Sequence, residues 1–110
     1  GGVFCFGDWC LDRASRQLSR EGNVVTMTSC EYALLNSLVS NANRPMKRER
    51  LLELTRGDES ESFDRAIDVQ MHRLRRLLES DPTHPRYLQT VWGVGYVFVP
   101  DGIPNPGGNN

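Results

Sequence analysis

Four apolar residues, Ile67, Met71, Leu74 and Leu78, recur at i, i+4, i+7 and i+11. That spacing forms one buried stripe on an amphipathic α-helix, expected over about Phe63 to Glu79. Asp81-Pro82 ends it and Pro85 stiffens the exit. Any fold of this chain must lay that stripe on a core and leave the opposite side of the helix outward. The opposite side carries Arg65, Val69, His72, Arg73 and Arg76, again at helical intervals.

The residues on either side supply the rest of the plan. Val3 to Phe6 and Trp9 to Leu11 flank a Gly7-Asp8 turn signal, and Gln17 to Arg20 and Asn23 to Thr26 flank Glu21-Gly22. β-rich runs between such turns predict an antiparallel four-stranded meander over residues 3–27. Thr28-Ser29-Cys30-Glu31 has the spacing of a capping box, and Leu34, Leu35, Leu38 and Val39 continue it as a helix that stops within Asn41 to Pro45. A shorter helix is expected from Lys47 to Leu54, with Leu51, Leu52 and Leu54 inward. Arg56 to Ser62 reads as a polar loop. After the long helix, Tyr87 to Val91 and Tyr96 to Val99 enclose Trp92-Gly93-Val94-Gly95, a hairpin with a glycine-bearing tip. The Gly/Pro/Asn-rich tail is expected to be disordered from residue 103 to 110. The expected class is α+β: a meander, three helices over 28–80, then a hairpin over 86–100. This is the plan of a winged helix-turn-helix domain spanning residues 1–102.

A chain of 110 residues allows one domain. No apolar run is long enough for a membrane span. Three cysteines, Cys5, Cys10 and Cys30, cannot all pair and form no CxxC, so they read as small buried thiols of a reducing cytosol. His72 and His84 are far apart without cysteine neighbours, and no metal or other cofactor is expected. No nucleophile–base arrangement has a supporting context, so the chain does not read as an enzyme. Asp68 is expected to fix an arginine or a helix cap.

A formal net charge of −1 conceals segregation. Residues 44–56 hold five basic and two acidic side chains, and residues 58–64 hold four acids and no base. On the outer face of the long helix, Arg73 is suited to guanine edges in a DNA major groove and Val69 to a thymine methyl. Arg65 and Arg76 flank them within reach of phosphates, and His72 is placed for a phosphate hydrogen bond. Thr90, Trp92 and Tyr96 near the hairpin tip are candidates for the sugar-phosphate backbone or the minor groove. The competing readings are a merely solvated arginine face and, for Trp92 and Tyr96, packing at the base of the hairpin.

The sequence resembles the C-terminal effector domains of OmpR-type response regulators over about Val3 to Gly102. The resemblance is carried by Thr28 to Leu35, Arg50-Leu51-Leu52, Arg65 to Gln70, Arg73 to Arg76, His84 to Tyr87 and Gln89 to Pro100. It implies a transcription regulator of a two-component phosphorelay in the cytoplasm. It further implies a receiver domain preceding this segment and head-to-tail pairs on tandem promoter repeats. Val69 and Arg73 match base-contacting positions. Arg65, His72, Arg76, Thr90 and Tyr96 match backbone-contacting or adjacent ones. The loop Arg56, Gly57, Asp58, Glu59, Ser60, Glu61, Ser62 matches the family's contact with RNA polymerase. The alternative is a winged helix working mainly through protein contacts at that acidic loop. Where relatives often carry Ser at the start of the second helix, this chain has Lys47, which cannot cap the first-turn amides. Lys47 and Arg48 are then candidates for a phosphate contact.

Overall fold

The computed structural model describes residues 2–55 and 66–103. The meander forms as expected: β1 (Val3–Phe6), β2 (Trp9–Asp12), β3 (Gln17–Arg20) and β4 (Asn23–Val25) pair antiparallel in chain order. Its turns explain the register. Glu21 and Gly22 both have positive φ, 51° and 83°, as a two-residue type I′ hairpin requires. Gly7, at φ 55°, turns β1 into β2 so that Phe6 faces Trp9 and Cys5 faces Cys10. Alternation then sends Phe6, Trp9, Leu11 and Leu18 into the core.

Helix α1 (Ser29–Ser40) starts on the predicted capping box. The Glu31 amide donates to the Thr28 hydroxyl at 3.1 Å and the Thr28 amide donates to the Glu31 carboxylate at 2.9 Å. Leu34, Leu35, Leu38 and Val39 are buried. The next element corrects the expectation. Met46–Lys47 is a two-residue strand, β5, and α2 (Arg48–Thr55) begins only after it. β5 pairs with the C-terminal hairpin, so Lys47 ends a strand immediately before α2. Only Leu51 of the three leucines is buried. Leu52 and Leu54 stay 36% and 40% exposed, because successive residues turn by about 100° and so short a helix buries a single position.

Helix α3 (Ile67–Leu78) carries the stripe: Ile67, Met71, Leu74 and Leu78 are all buried. It begins later than Phe63, because Ala66 has a non-helical ψ of 119°. Residues 63–65, including the start expected there, lie outside the described residues, as do the loop 56–62 and the tail 104–110. Strands β6 (Leu88–Val91) and β7 (Gly95–Phe98) make the hairpin, and the second sheet runs β5-β7-β6. Gly95 therefore belongs to a strand rather than to the tip. It has to be glycine: a Cβ there would overlap the Met46 carbonyl of β5.

The core is shared by both sheets and all three described helices. Phe98 stacks edge-on against Phe6 at 4.9 Å and Phe4 at 6.0 Å, joining the wing to the meander. Tyr87 lies edge-on to Phe6 and fits between Gly7 and Gly102, where a Cβ at either glycine would press on its ring or hydroxyl.

The cysteine reading is overturned. Cys5 and Cys10 are joined by a disulfide across β1 and β2. Cys5 is exposed, and Cys10 and Cys30 are half-buried, so none is a buried thiol. Counting cysteines without strand register could not reveal the pair, since the facing positions depend on the turn at Gly7-Asp8. Among the described residues no helix is long and apolar enough to cross a membrane, and no cluster could hold a metal ion.

Candidate nucleic-acid interface

The stripe of α3 fixes what the helix shows outward. With Met71 and Leu74 fully buried, Val69 is left 42% exposed and His72, Arg73 and Arg76 are exposed beside it. Asp68 in the first turn complements the positive helix N-terminus, and Arg75 and Arg76 in the last turn complement the negative C-terminus. Four of the five side chains expected on this face therefore share one cationic, partly apolar ridge; Arg65 lies outside the described residues.

One α3 arginine behaves differently. Arg75 sits at the edge of the stripe, four residues after Met71, and turns toward the hairpin. Its Nε donates to the Leu88 carbonyl at 2.9 Å and its Nη2 to the Thr90 hydroxyl at 2.8 Å. Burial lowers its pKa from the usual guanidinium value. Its guanidinium also lies over the Tyr96 ring, 5.4 Å from the centroid. Arg75 thus locks β6 to α3 and fixes the angle between helix and wing. Its i+4 offset from Met71 is the sequence signal that sets it apart from the outward arginines.

A second cluster ties α2 to the same junction. The Tyr96 hydroxyl and Arg48 Nε both donate to Asp68 Oδ1, the latter at 2.7 Å. The Arg48 guanidinium also lies over the Tyr96 ring at 5.0 Å. These two hydrogen bonds, Tyr96 first and Arg48 second, hold the Asp68 carboxyl below the usual aspartate range. The same bond to Asp68 raises the pKa of Arg48. Burial, then its bond to Asp68, raises that of Tyr96. Asp68 thus fixes an arginine, as its position suggested.

Three residues expected to contact DNA also have partners within the protein. Tyr96 is only 5% exposed and its hydroxyl is committed to Asp68, so it packs at the hairpin's base. The Thr90 hydroxyl accepts from Arg75, and the Arg48 guanidinium is held by Asp68 and Tyr96. These bonds join α3 to α2 and to the hairpin. Trp92 is the opposite case: at 72% exposure it projects from the tip beside Gly93, whose φ of 79° makes the turn. Lys47 is exposed at the end of β5, next to the hairpin.

Two supports of α3 escaped the sequence. The Trp9 indole donates to the Leu78 carbonyl at 3.0 Å, closing the helix C-terminus from the meander. The Glu79 carboxylate, 7% exposed, accepts from the amides of Arg86, Tyr87 and Leu88 at 2.8–2.9 Å. It thereby sets the path of the chain into β6.

A helix with an exposed cationic ridge, backed by two helices and flanked by a pinned β-hairpin, defines a winged helix-turn-helix domain. Comparison with known proteins agrees. The family described as "Transcriptional regulatory protein, C terminal" matches residues 22–98. The regulatory protein VirG of Rhizobium rhizogenes is 42% identical over 99 residues, covering 89% of this chain and 41% of that protein. VirG of Agrobacterium fabrum is 43% identical over the same share of the chain, covering 39% of its own length. The chain thus spans about two-fifths of these relatives. Among solved structures, the DNA-binding domain of RstA from Klebsiella pneumoniae, in complex with the RstA box, superposes with a TM-score of 0.77 at 32% identity, covering 91% of this chain and 99% of that one. The C-terminal effector domain of BfmR from Acinetobacter baumannii gives 0.77 at 38% identity, covering 94% of each chain.

The chain belongs to the family of C-terminal, winged-helix DNA-binding domains of OmpR-type response regulators. The family's members are DNA-binding domains of transcriptional regulators and not enzymes.

Proposed function

We propose that this domain binds double-stranded promoter DNA in a sequence-dependent way, with α3 in the major groove and the hairpin wing on the adjacent groove. The observation that carries the reading is the exposed ridge of Val69, His72, Arg73 and Arg76 on a helix whose other side is buried. Val69 and Arg73 read base edges. His72, Arg76, Arg65, Lys47 and Trp92 contact the sugar-phosphate backbone. Arg48, Thr90 and Tyr96 hold the ridge and wing in register rather than meeting DNA directly. The RstA domain, solved on its own box, supports the choice of duplex DNA as ligand.

In the whole protein this segment is the output end of a cytoplasmic two-component regulator, joined to a phosphate-accepting receiver domain. Two copies sit head to tail on tandem repeats, and the acidic loop from Arg56 to Ser62 meets RNA polymerase. The test of the core reading is retention of duplexes from a random DNA library at low and moderate salt. A few related sequences should survive selection, and their affinity should fall linearly with log salt. Failure to retain any duplex in dilute buffer would overturn the reading.

A further inference from the structure

We propose that Cys5 and Cys10 form a reversible thiol–disulfide exchange site on the outer face of the meander, with low-molecular-weight disulfides and thiols of the glutathione class as co-reactants. Cys5 and Cys10 face each other across β1 and β2, with only the Phe6–Trp9 pair and the Gly7-Asp8 turn beyond them. Alternation turns Phe6 and Trp9 inward, 3% and 5% exposed, and turns both sulfur atoms outward. Cys5 is exposed and Cys10 half-buried, so a small co-reactant can reach the pair. The next outward positions in the row are Ser19 and Val24, small side chains that build no wall over it.

Two further features separate an exchange site from a structural staple. The bridge joins residues only five apart, in a hairpin that the turn, the ladder and the buried Phe6 and Trp9 already hold. Closing so short a loop removes little chain entropy, and exposed disulfides of this kind are the labile ones. The fold therefore does not depend on the bond, and both redox states are accessible to the folded protein. The Cα atoms are also 4.0 Å apart, so once one cysteine is in a mixed disulfide its partner attacks intramolecularly.

The exchange balances without a cofactor. The thiolate of one cysteine attacks a small disulfide, forming a mixed disulfide and releasing one thiolate. The second cysteine then attacks the protein sulfur of the mixed disulfide and expels the second thiolate. In sum, the protein dithiol and one small disulfide give the protein disulfide and two small thiols, and two electrons pass to the small disulfide. Excess thiol reverses each step. The site lies next to Trp9, whose indole closes the C-terminus of α3, so the hairpin's covalent state is set beside an anchor of the DNA-facing helix.

The test equilibrates the purified chain in buffers of reduced and oxidised glutathione at a series of ratios, then traps thiols with an alkylating agent for mass spectrometry. In millimolar reduced glutathione Cys5 and Cys10 should both alkylate, and in oxidised buffer neither should, the bond between them accounting for the loss of two thiols. The chain should give the same circular dichroism spectrum in both. Cys30→Ser should keep the transition, and Cys5→Ser should lose it and accumulate a glutathione adduct on Cys10. The proposal is overturned if the bond survives millimolar thiol in the folded chain, if the pair never closes, or if reduction unfolds the domain. Because no arm involves DNA, failure here leaves the DNA-binding reading standing, and the reverse.

Discussion

Asp68 is an acidic residue on a surface assigned to a polyanion, and its neighbours explain why it is tolerated. Its charge is matched by Arg48 and its Oδ1 accepts from the Tyr96 hydroxyl, so the first turn of α3 is anchored instead of repelled. The pH dependence follows from the depressed carboxyl. A folded-state pKa below the unfolded one adds stability above the ordinary aspartate range, and that stability is lost as pH falls through the depressed value. Asp68→Asn should therefore lower stability from pH 6 to 8 and flatten the acid limb of the stability–pH curve below about pH 4, where variant and parent converge. An unchanged acid limb in urea titrations of the variant would contradict the anchor. Gly95 belongs to the same scale. Gly95→Ala places a methyl on the Met46 carbonyl and should cost about 2 kcal/mol or more, read as a drop in the urea midpoint.

At the scale of elements, α3 is held at its edge and at its end. Arg75 pins the wing, and Trp9 and Glu79 hold the C-terminal turn. Trp9→Phe keeps most of the buried ring and removes the hydrogen bond to Leu78. The expected loss is about 1 kcal/mol, with faster amide exchange in the last turn of α3. Arg75→Met should keep the fold and loosen the hairpin. The amides of β6 and β7 should then exchange faster while those of β1 to β4 do not change.

These elements also show where sequence reading succeeds and where it stops. The Thr28–Glu31 box, the α3 stripe and the turns at Gly7 and Glu21-Gly22 are local signals, written within one or two turns of chain. Each reappears in the structure at its predicted place. The strand at Met46–Lys47 exists only because β7 lies beside it, and two residues carry no periodicity. The burial of Tyr96 and the Cys5–Cys10 pairing likewise depend on register between distant or facing segments. For the interface, helical periodicity alone separated the outward residues from the stripe. The partners of Arg48, Thr90 and Tyr96 come from other elements, so their hydrogen bonds within the protein were not legible in the sequence.

For the whole molecule, a balanced net charge is compatible with a polyanion partner because the charges are sorted along the chain. The cationic ridge is on α3, and the acids Asp58, Glu59 and Glu61 fall within the segment proposed to meet polymerase. Reversing those three to lysine should leave duplex affinity within a few-fold and lower transcription from a target promoter. Equal output in a reconstituted transcription assay would remove that assignment without touching the ridge.

The central claim, that α3 reads bases with one arginine and grips phosphate with the next outward one, is tested most directly by paired salt titrations of Arg73→Ala and Arg76→Ala on selected and scrambled duplexes. Arg73→Ala should lose about 1–3 kcal/mol on the selected duplex alone and narrow the gap to scrambled DNA. Arg76→Ala should weaken both duplexes alike and flatten the salt slope by about one unit. Binding by both variants indistinguishable from the parent at every salt concentration would contradict it.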